Sequence, residues 1–397
     1  MDRGISIIIP TLNGGEIFSQ SLAMIQKQKY KGNVQLIVID SGSADDTPDM
    51  AKHCGATVIS IDHKDFHHAR TRNHALPHAR YDKVLYTVQD AVPCSETWLD
   101  DLERALSDET VSAAYVRQIP HKTAGAYARF EVEFHGQYLG NSPMIQAFDT
   151  SAPPGSLAYD ELLRKSRLDN VCAIYRKNAL MQRPFPEVDF GEDLAWAYHT
   201  LLSGGKILYQ PEIQVMHSHD RPPDYRFRRA IADSVSCMKI FQRVKDDFSD
   251  FGVKDMIAMT LNIKRYSRKL RKDILQNQKI QAQTVLPESA ADYIIKNCTL
   301  PDRIKTWLIA AFPQLLRHRR DRREMLENAL CHHIQHVLHL IQKDYMDKSQ
   351  NELPEVLEQV TASVLGRIYG EIYAGKILHG TLTPETEHFI RPFLKGI

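Results

Sequence analysis

At 397 residues the chain exceeds what one hydrophobic core usually organises, so one large domain plus a smaller one is expected. Hydrophobic residues at 43% and charged residues at 25% are ordinary for a globular protein, which excludes a disordered or fibrous chain. A net charge of +1 leaves no global field to recruit nucleic acid.

Cysteines at 54, 94, 172, 237, 298 and 331 form no CxxC pair, so neither a zinc knuckle nor a disulfide framework is expected. Scattered free thiols fit a reducing cytoplasm. The opening MDRGISIIIPTLNGG has three consecutive apolar residues before Pro10, too few for a signal-peptide core. Nothing approaches the roughly 18 apolar residues of a membrane span. The expectation is a cytoplasmic protein, soluble or peripheral on the inner face of the membrane.

In chain order, Ile5–Ile9 is β-branched at every position except Ser6 and stops at Pro-Thr-Leu-Asn-Gly-Gly, as a buried parallel strand should. Glu16–Gln28 has helical spacing of Phe18, Leu22 and Ile25. Val34–Ile39 is a second strand ending at Asp40-Ser41-Gly42-Ser43, and Thr47–His53 a second helix. Ala56–Ile61 reads as a strand, Ala69–Ala79 as a helix, and Lys83–Val88 as a strand that halts at Gln89-Asp90. Strands alternating with helices argue a doubly wound, mainly parallel sheet. In such sheets ligands bind beyond the carboxyl ends of the strands, which here carry Thr11 and Asn13, Asp40, and Asp90.

From about Asp224 strand-like runs give way to charged segments of helical spacing: Arg226–Lys245, Lys254–Gln276, Ala290–Asn297, Arg303–Arg317, Glu324–Tyr345 and Leu353–Leu378. Gln278–Glu288 reads as a linker or loop. The expected boundary therefore separates residues 1–223 from a helical region, 224–397.

Asp40 lies in VIDSGSADDT. A strand-end carboxylate there can accept from a nucleobase N–H while the tight Ser-Gly turn lets backbone approach the ligand. It can equally cap the following helix, whose N-terminus Asp45 and Asp46 favour. SIIIPTLNGG followed by LIVIDSGSADDT resembles the opening of the family-two inverting glycosyltransferases of the GT-A fold. The resemblance implies a Rossmann-like mixed sheet flanked by helices, with Pro10, Thr11, Asn13, Asp40 and Ser41 as nucleotide contacts.

DFHHARTRNHAL resembles the F-x-H-x-x-x-R-N segment of a rhamnosyltransferase-like branch, matched by Phe66, His68, Arg72 and Asn73. Ala69 stands where that branch usually has glycine. By resemblance His68, Arg72 and Asn73 belong to the donor site, and Arg72 offers a fixed bidentate cation to a base or diphosphate. The family's Asp-x-Asp motif is represented by Val88-Gln89-Asp90, so only the second acid is present, as in the branch's Gln-Asp-Ala version. Asp90 is thereby implied as ligand to Mn²⁺ or Mg²⁺, with phosphate oxygens and water completing the shell and Gln89 beside the donor.

PEVDFGEDLAWAYHTLLSGG matches a further family block, in which Glu192-Asp193 precedes an apolar helix, Leu194–Leu202, ended by Gly204-Gly205. The resemblance makes Asp193 the catalytic base and Glu192 an orienting group, although two acids also suit a helix N-terminus through its dipole. His217 and His219 follow the strand Ile213–Met216, and residues i and i+2 of a strand share a face. By resemblance one of them completes the metal site, with His217 preferred. Asn170 resembles an acceptor-side residue. His67-His68, His121 and His332-His333 show no metalloprotease spacing. The run Arg317–Arg323 after TWLIAAFPQLL suits an anionic membrane surface or a solvated helix face.

The implied activity is metal-dependent, inverting transfer of a sugar, with dTDP-L-rhamnose favoured and UDP-hexoses open as donors. The implied acceptor is a surface glycan or lipid-linked glycan, and the helical region offers an oligomer contact. A metal-dependent hydrolase and a non-catalytic scaffold that keeps the fold are the rivals.

Overall fold

A computed structural model describes residues 3–149, 151–152, 154–277, 319–346 and 352–394. The chain divides into two compact units: residues up to 124 together with 131–219, and residues 125–130 together with 220 onward.

The first unit runs β1 (Gly4–Thr11), α1 (Gly15–Gln26), β2 (Asn33–Asp40), α2 (Thr47–His53), β3 (Thr57–Ser60), α3 (His68–Ala75) and β4 (Lys83–Thr87). It continues with β5 (Val92–Pro93), α4 (Trp98–Ala105), β6 (Val111–Ile119), the later part of α5 (Ala126–Leu139) and β7 (Met144–Gln146). Last come α6 (Tyr159–Lys165), β8 (Cys172–Arg176), α7 (Lys177–Gln182), α8 (Glu192–Leu202) and β9 (Lys206–Met216). One sheet holds all these strands in the order β3-β2-β1-β4-β8-β6-β9-β5, with β7 also on β9.

The first four strands are mutually parallel, as expected, and β6 and β9 run the same way. β8 is antiparallel between β4 and β6, and β5 and β7 are antiparallel to β9, so the sheet is mixed. β1 is buried on both faces. Ile5, Ile7 and Ile9 join Phe18 and Trp98 in one core, whereas Ile8 joins Tyr86 and Trp196 in another. That is why its sequence is a continuous apolar run rather than an alternating one.

The expected helix Ala69–Ala79 ends sooner. α3 stops at Ala75 and a 3₁₀ turn, Leu76–His78, follows, because Pro77 has no N–H to continue the ladder. β9 is longer than the Ile213–Met216 segment expected. Its register against β6 jumps from Val116↔Gln210 to Arg117↔Gln214, a bulge spanning Pro211 that hides the strand from a period-2 reading.

The second unit is helical: the opening turn of α5, then α9 (Pro223–Phe241), α10 (Val253–Asn277), α11 (Arg319–Asp344), α12 (Leu353–Leu378) and α13 (Pro384–Ile390). α9 ends at Gln242, whose φ of 52° breaks the expected continuation to Lys245. α9 and α12 pack closely because Gly366 carries no side chain. A Cβ there would lie 2.2 Å from the Phe227 carbonyl oxygen. Arg322 pairs with Asp250 and Arg323 with Asp255 and Glu327, so these members of the basic run are engaged within the unit. The expected linker Gln278–Glu288 and helices Ala290–Asn297 and Arg303–Arg317 lie outside the described residues. Among the described residues, no helix is long and apolar enough to cross a membrane.

Candidate functional site

At the ends of β1 and β2 the chain forms a tightly bonded pair of turns. The Asp40 carboxylate is 4% exposed and accepts from the Gly42 and Ser43 amides at 3.2 and 3.0 Å, and from the Thr11 hydroxyl at 3.3 Å. Ser41 donates to the Thr11 carbonyl through its amide and through its hydroxyl at 2.9 Å. Asn13 has a φ of 49° and accepts from the Ala44 amide at 2.8 Å, a conformation asparagine tolerates. Pro10 is the penultimate residue of β1, opposite Ile39. Gln89 clasps the Leu12 backbone, accepting from its N–H at 2.8 Å and donating to its carbonyl at 3.1 Å. The structure thus gathers Pro10, Thr11, Asn13, Asp40, Ser41 and Gln89 at one sheet edge, with Gln89 acting as a brace.

α3 and α8 supply the next group. Arg72 and Glu192, read separately as donor-side and acceptor-side residues, bond each other at 2.7 Å, with side chains only 4% and 8% exposed. Glu192 also accepts from the Asn170 side-chain amide at 3.2 Å. Burial works against its charge, but Arg72, His68 and that amide outweigh it and hold the carboxyl below its usual range. Arg72 also donates to the His68 carbonyl at 3.2 Å, and its Nε is buried with no hydrogen-bond acceptor. Asn73 clasps the Phe185 backbone at 2.8 and 3.0 Å, fixing Phe185 among Tyr86, Tyr175 and Trp196. His68 is exposed at the start of α3, edge-on to Phe66.

Asp193 is the second residue of α8, after Glu192, and the left-handed φ of 79° at Gly191 sets the helix entry. Its two carboxylate oxygens accept from the Asn170 and Leu194 amides at 3.0 and 2.8 Å. Burial, then the neighbouring carboxylates of Glu192 and Asp169, push its pKa up to about 7 despite the Asn170 amide and Arg72. A carboxyl poised there can accept a proton near neutral pH.

Asp90 follows β4, and His217 and His219 follow β9. Asp90 Oδ1 lies 3.7 Å from His217 Nε2, and Oδ2 lies 3.4 Å from His219 Nδ1. One ligand atom from each residue falls within a 4.8 Å span, compatible with a metal ion. Burial, then the adjacent His219 and His121, lowers the His217 pKa to about 4 against the pull of Asp90 and Asp169. A neutral imidazole is the form that binds a cation. One carboxylate and two imidazoles suit a divalent transition metal whose remaining positions go to phosphate or water. Three loops are stitched together here: the His121 ring meets the Asp90 carbonyl at 3.1 Å, the His121 amide donates to Ser218 Oγ at 3.1 Å, and the His217 amide donates to the Ile119 carbonyl at 2.8 Å.

Sequence reasoning assigned no role to Gln118, His135 or Asp169. Gln118 and His217 meet at 2.8 Å, Gln118 and Asp169 at 3.3 Å, and His135 and Asp169 at 2.9 Å. Burial opposes the Asp169 charge, yet His135, Arg167 and His217 bring its pKa to about 2. The available signal was its position in LDNVC beside Asn170. Asn170 itself is buried, with its side chain held by Glu192 and Tyr175.

The profile of the family "Glycosyl transferase family 2" matches residues 6–182. The O-antigen chain rhamnosyltransferase RfbN of Salmonella typhimurium is 31% identical over 254 residues, covering 62% of this chain and 76% of that protein. WbaN of Salmonella anatum, also an O-antigen chain rhamnosyltransferase, is 30% identical over 253 residues, covering 62% and 75%. Among solved structures, the mannosyltransferase PcManGT of Pyrobaculum calidifontis is similar at 18% identity and a TM-score of 0.43, covering 86% of this chain and 88% of its own. The chain belongs to glycosyl transferase family 2 as a rhamnosyltransferase-like glycosyltransferase, and its mixed sheet flanked by helices is the arrangement that the resemblance implied.

Proposed function

We propose that the protein is an inverting, divalent-metal-dependent enzyme that transfers L-rhamnose from dTDP-L-rhamnose to a hydroxyl of a growing surface glycan. The carrying observation is one unit that holds two acids in opposite settings. Asp193 is poised to take a proton, and Asp90 sits beside two imidazoles. The names of the two Salmonella relatives support the donor sugar and the glycan acceptor.

The turns at Thr11, Asn13, Asp40 and Ser41 hold the nucleoside, with Gln89 bracing Leu12 behind them. Asp193 takes the acceptor hydroxyl's proton as that oxygen attacks the anomeric carbon from the face opposite the nucleotide, and the nucleoside diphosphate departs. Mn²⁺ or Mg²⁺ held by Asp90, His217 and His219 would neutralise the diphosphate charge as it develops. Glu192 and Arg72 fix the start of α8 through their ion pair, and Asn170 aims Asp193 through its backbone amide.

In this reading residues 1–223 carry the chemistry, and 224–397 serve acceptor, oligomer or membrane contacts. The site of action is the cytoplasmic side of the membrane, where a lipid-linked glycan would be presented. Within that region Arg322 and Arg323 also hold ion pairs inside their own unit.

A thermal-shift screen of nucleoside diphosphates and their sugars with Mn²⁺ tests the proposal. A ligand bound at about 100 times its Kd adds roughly 2.7 kcal/mol to stability, so a match raises Tm by several degrees. dTDP-L-rhamnose with Mn²⁺ should give that shift, and Asp90→Ala should lose its metal-dependent part. A shift with UDP-hexoses instead would replace the donor. Hydrolysis of the nucleotide sugar at an undiminished rate without acceptor would replace transfer, and no shift with any nucleotide would favour a non-catalytic scaffold.

A further inference from the structure

Gln118 lies on β6 opposite Val215 of β9, two residues before His217. Its side chain bridges His217 and Asp169 by hydrogen bonds. One amide end faces His217 Nδ1 at 2.8 Å and the other faces the Asp169 carboxylate at 3.3 Å. Beyond Asp169 stands His135, whose Nε2 is 2.9 Å from the same carboxylate.

The direction of every bond in this row follows from the types of atom. A carboxylate accepts and does not donate, so the end of Gln118 facing Asp169 must be the NH₂ group. The opposite end is then the carbonyl oxygen, which can only accept from His217. Nδ1 of His217 therefore carries the ring's N–H. A neutral imidazole has one such proton, so Nε2 presents a bare lone pair. That lone pair faces Asp90 Oδ1 at 3.7 Å. A metal bound by the neutral ring would take that lone pair together with the Asp90 carboxylate.

We propose that Gln118 is a positioning residue for His217: it fixes the ring's tautomer and plane so that Nε2 points at a metal shared with Asp90, with Asp169 and His135 setting the direction of its amide. This inference rests on reading Asp90, His217 and His219 as a cation site. Because Gln118 is carried on a strand rather than a loop, the ring is aimed by rigid structure. Partners of this kind, one bond removed from the metal, typically change affinity about 10- to 100-fold when removed.

The test is titration of the full chain with Mn²⁺ alone, with the free ion followed by electron paramagnetic resonance. Gln118→Met keeps the volume but removes the acceptor, and should weaken Mn²⁺ binding by roughly 10- to 100-fold. Gln118→Glu keeps an acceptor toward Nδ1, with one proton shared between its carboxyl and Asp169 in place of the amide donor, and should bind within about threefold of the parent, or more tightly. Asp169→Ala frees the amide to turn and should weaken binding in the same direction as Gln118→Met. Parent-like affinity in Gln118→Met or in Asp169→Ala would overturn the proposal, as would a loss in Gln118→Glu equal to that in Gln118→Met. Should Gln118→Met fail to fold, Gln118→Glu and Asp169→Ala still decide it, the first by retaining binding and the second by losing it. Asp90→Ala is the separate control: undiminished Mn²⁺ binding there would remove the cation site itself, whatever Gln118 does.

Discussion

Asp193→Asn is expected to slow sugar transfer by roughly 100- to 10,000-fold, the usual contribution of a positioned general base, while nucleotide-sugar affinity stays within about threefold. The same residue should set the acid limb of the parent's pH profile. Burial and the carboxylates of Glu192 and Asp169 raise its pKa to about 7, so the neutral form is the one the fold favours. Its contribution to folding is therefore fully present at low pH and is lost as pH rises through about 7. Catalysis needs the opposite form. kcat/KM should fall about tenfold for each pH unit below 7, and Asp193→Asn should show no such limb. The asparagine sheds the repulsion but offers one NH₂ to an amide that the carboxylate accepted, so Tm should move by only a few degrees. A variant that keeps its rate, or loses donor binding along with it, would remove Asp193 as the base.

Arg72→Met should strongly destabilise the first unit. Glu192 would be left as a buried carboxylate without its cation, and breaking a buried pair by removing one partner costs about 3–5 kcal/mol. For a unit of this size that is a fall in Tm of roughly 10 °C. Glu192 is held below its ordinary value of 4.5, so the pair's contribution is present above that pH and is lost as the carboxyl is protonated. The difference in Tm between parent and variant should accordingly narrow below about pH 4.5. Arg72→Met/Glu192→Gln should recover most of the loss, because removing both charges leaves no uncompensated ion. A fall under about 2 °C in Arg72→Met would show the pair to be dispensable.

β1 to β4 were legible because each is a run of β-branched and apolar residues bounded by a turn, and each pairs in parallel with strands built the same way. The other half of the sheet was not. β8 is the five residues CAIYR, and its place between β4 and β6 depends on partners about 60 to 90 residues away in sequence. β9 showed only its last four residues because the bulge at Pro211 interrupts its alternation.

The site divides along the same line. Asp90, His217 and His219 stand at strand ends, where a parallel-sheet argument looks for ligands, and the structure brings their ligand atoms together. Arg72 and Glu192 are 120 residues apart, and nothing local shows that their charges meet. Gln118 was invisible for a different reason. A glutamine on a strand carries no chemical signal until its two neighbours are known.

The stitching of the loops after β4, β6 and β9 has a consequence for how the first unit breathes. The amides of His121 and His217 are both donors across these loops, and the His121 ring ties the pair to the Asp90 carbonyl. None of the three segments can lift away without breaking bonds held by another. Their amides should therefore exchange with deuterium through one shared opening, with similar protection, rather than fraying separately as surface loops do. An exchange experiment finding His121 protected at least tenfold more than His217 would show that the loops open independently.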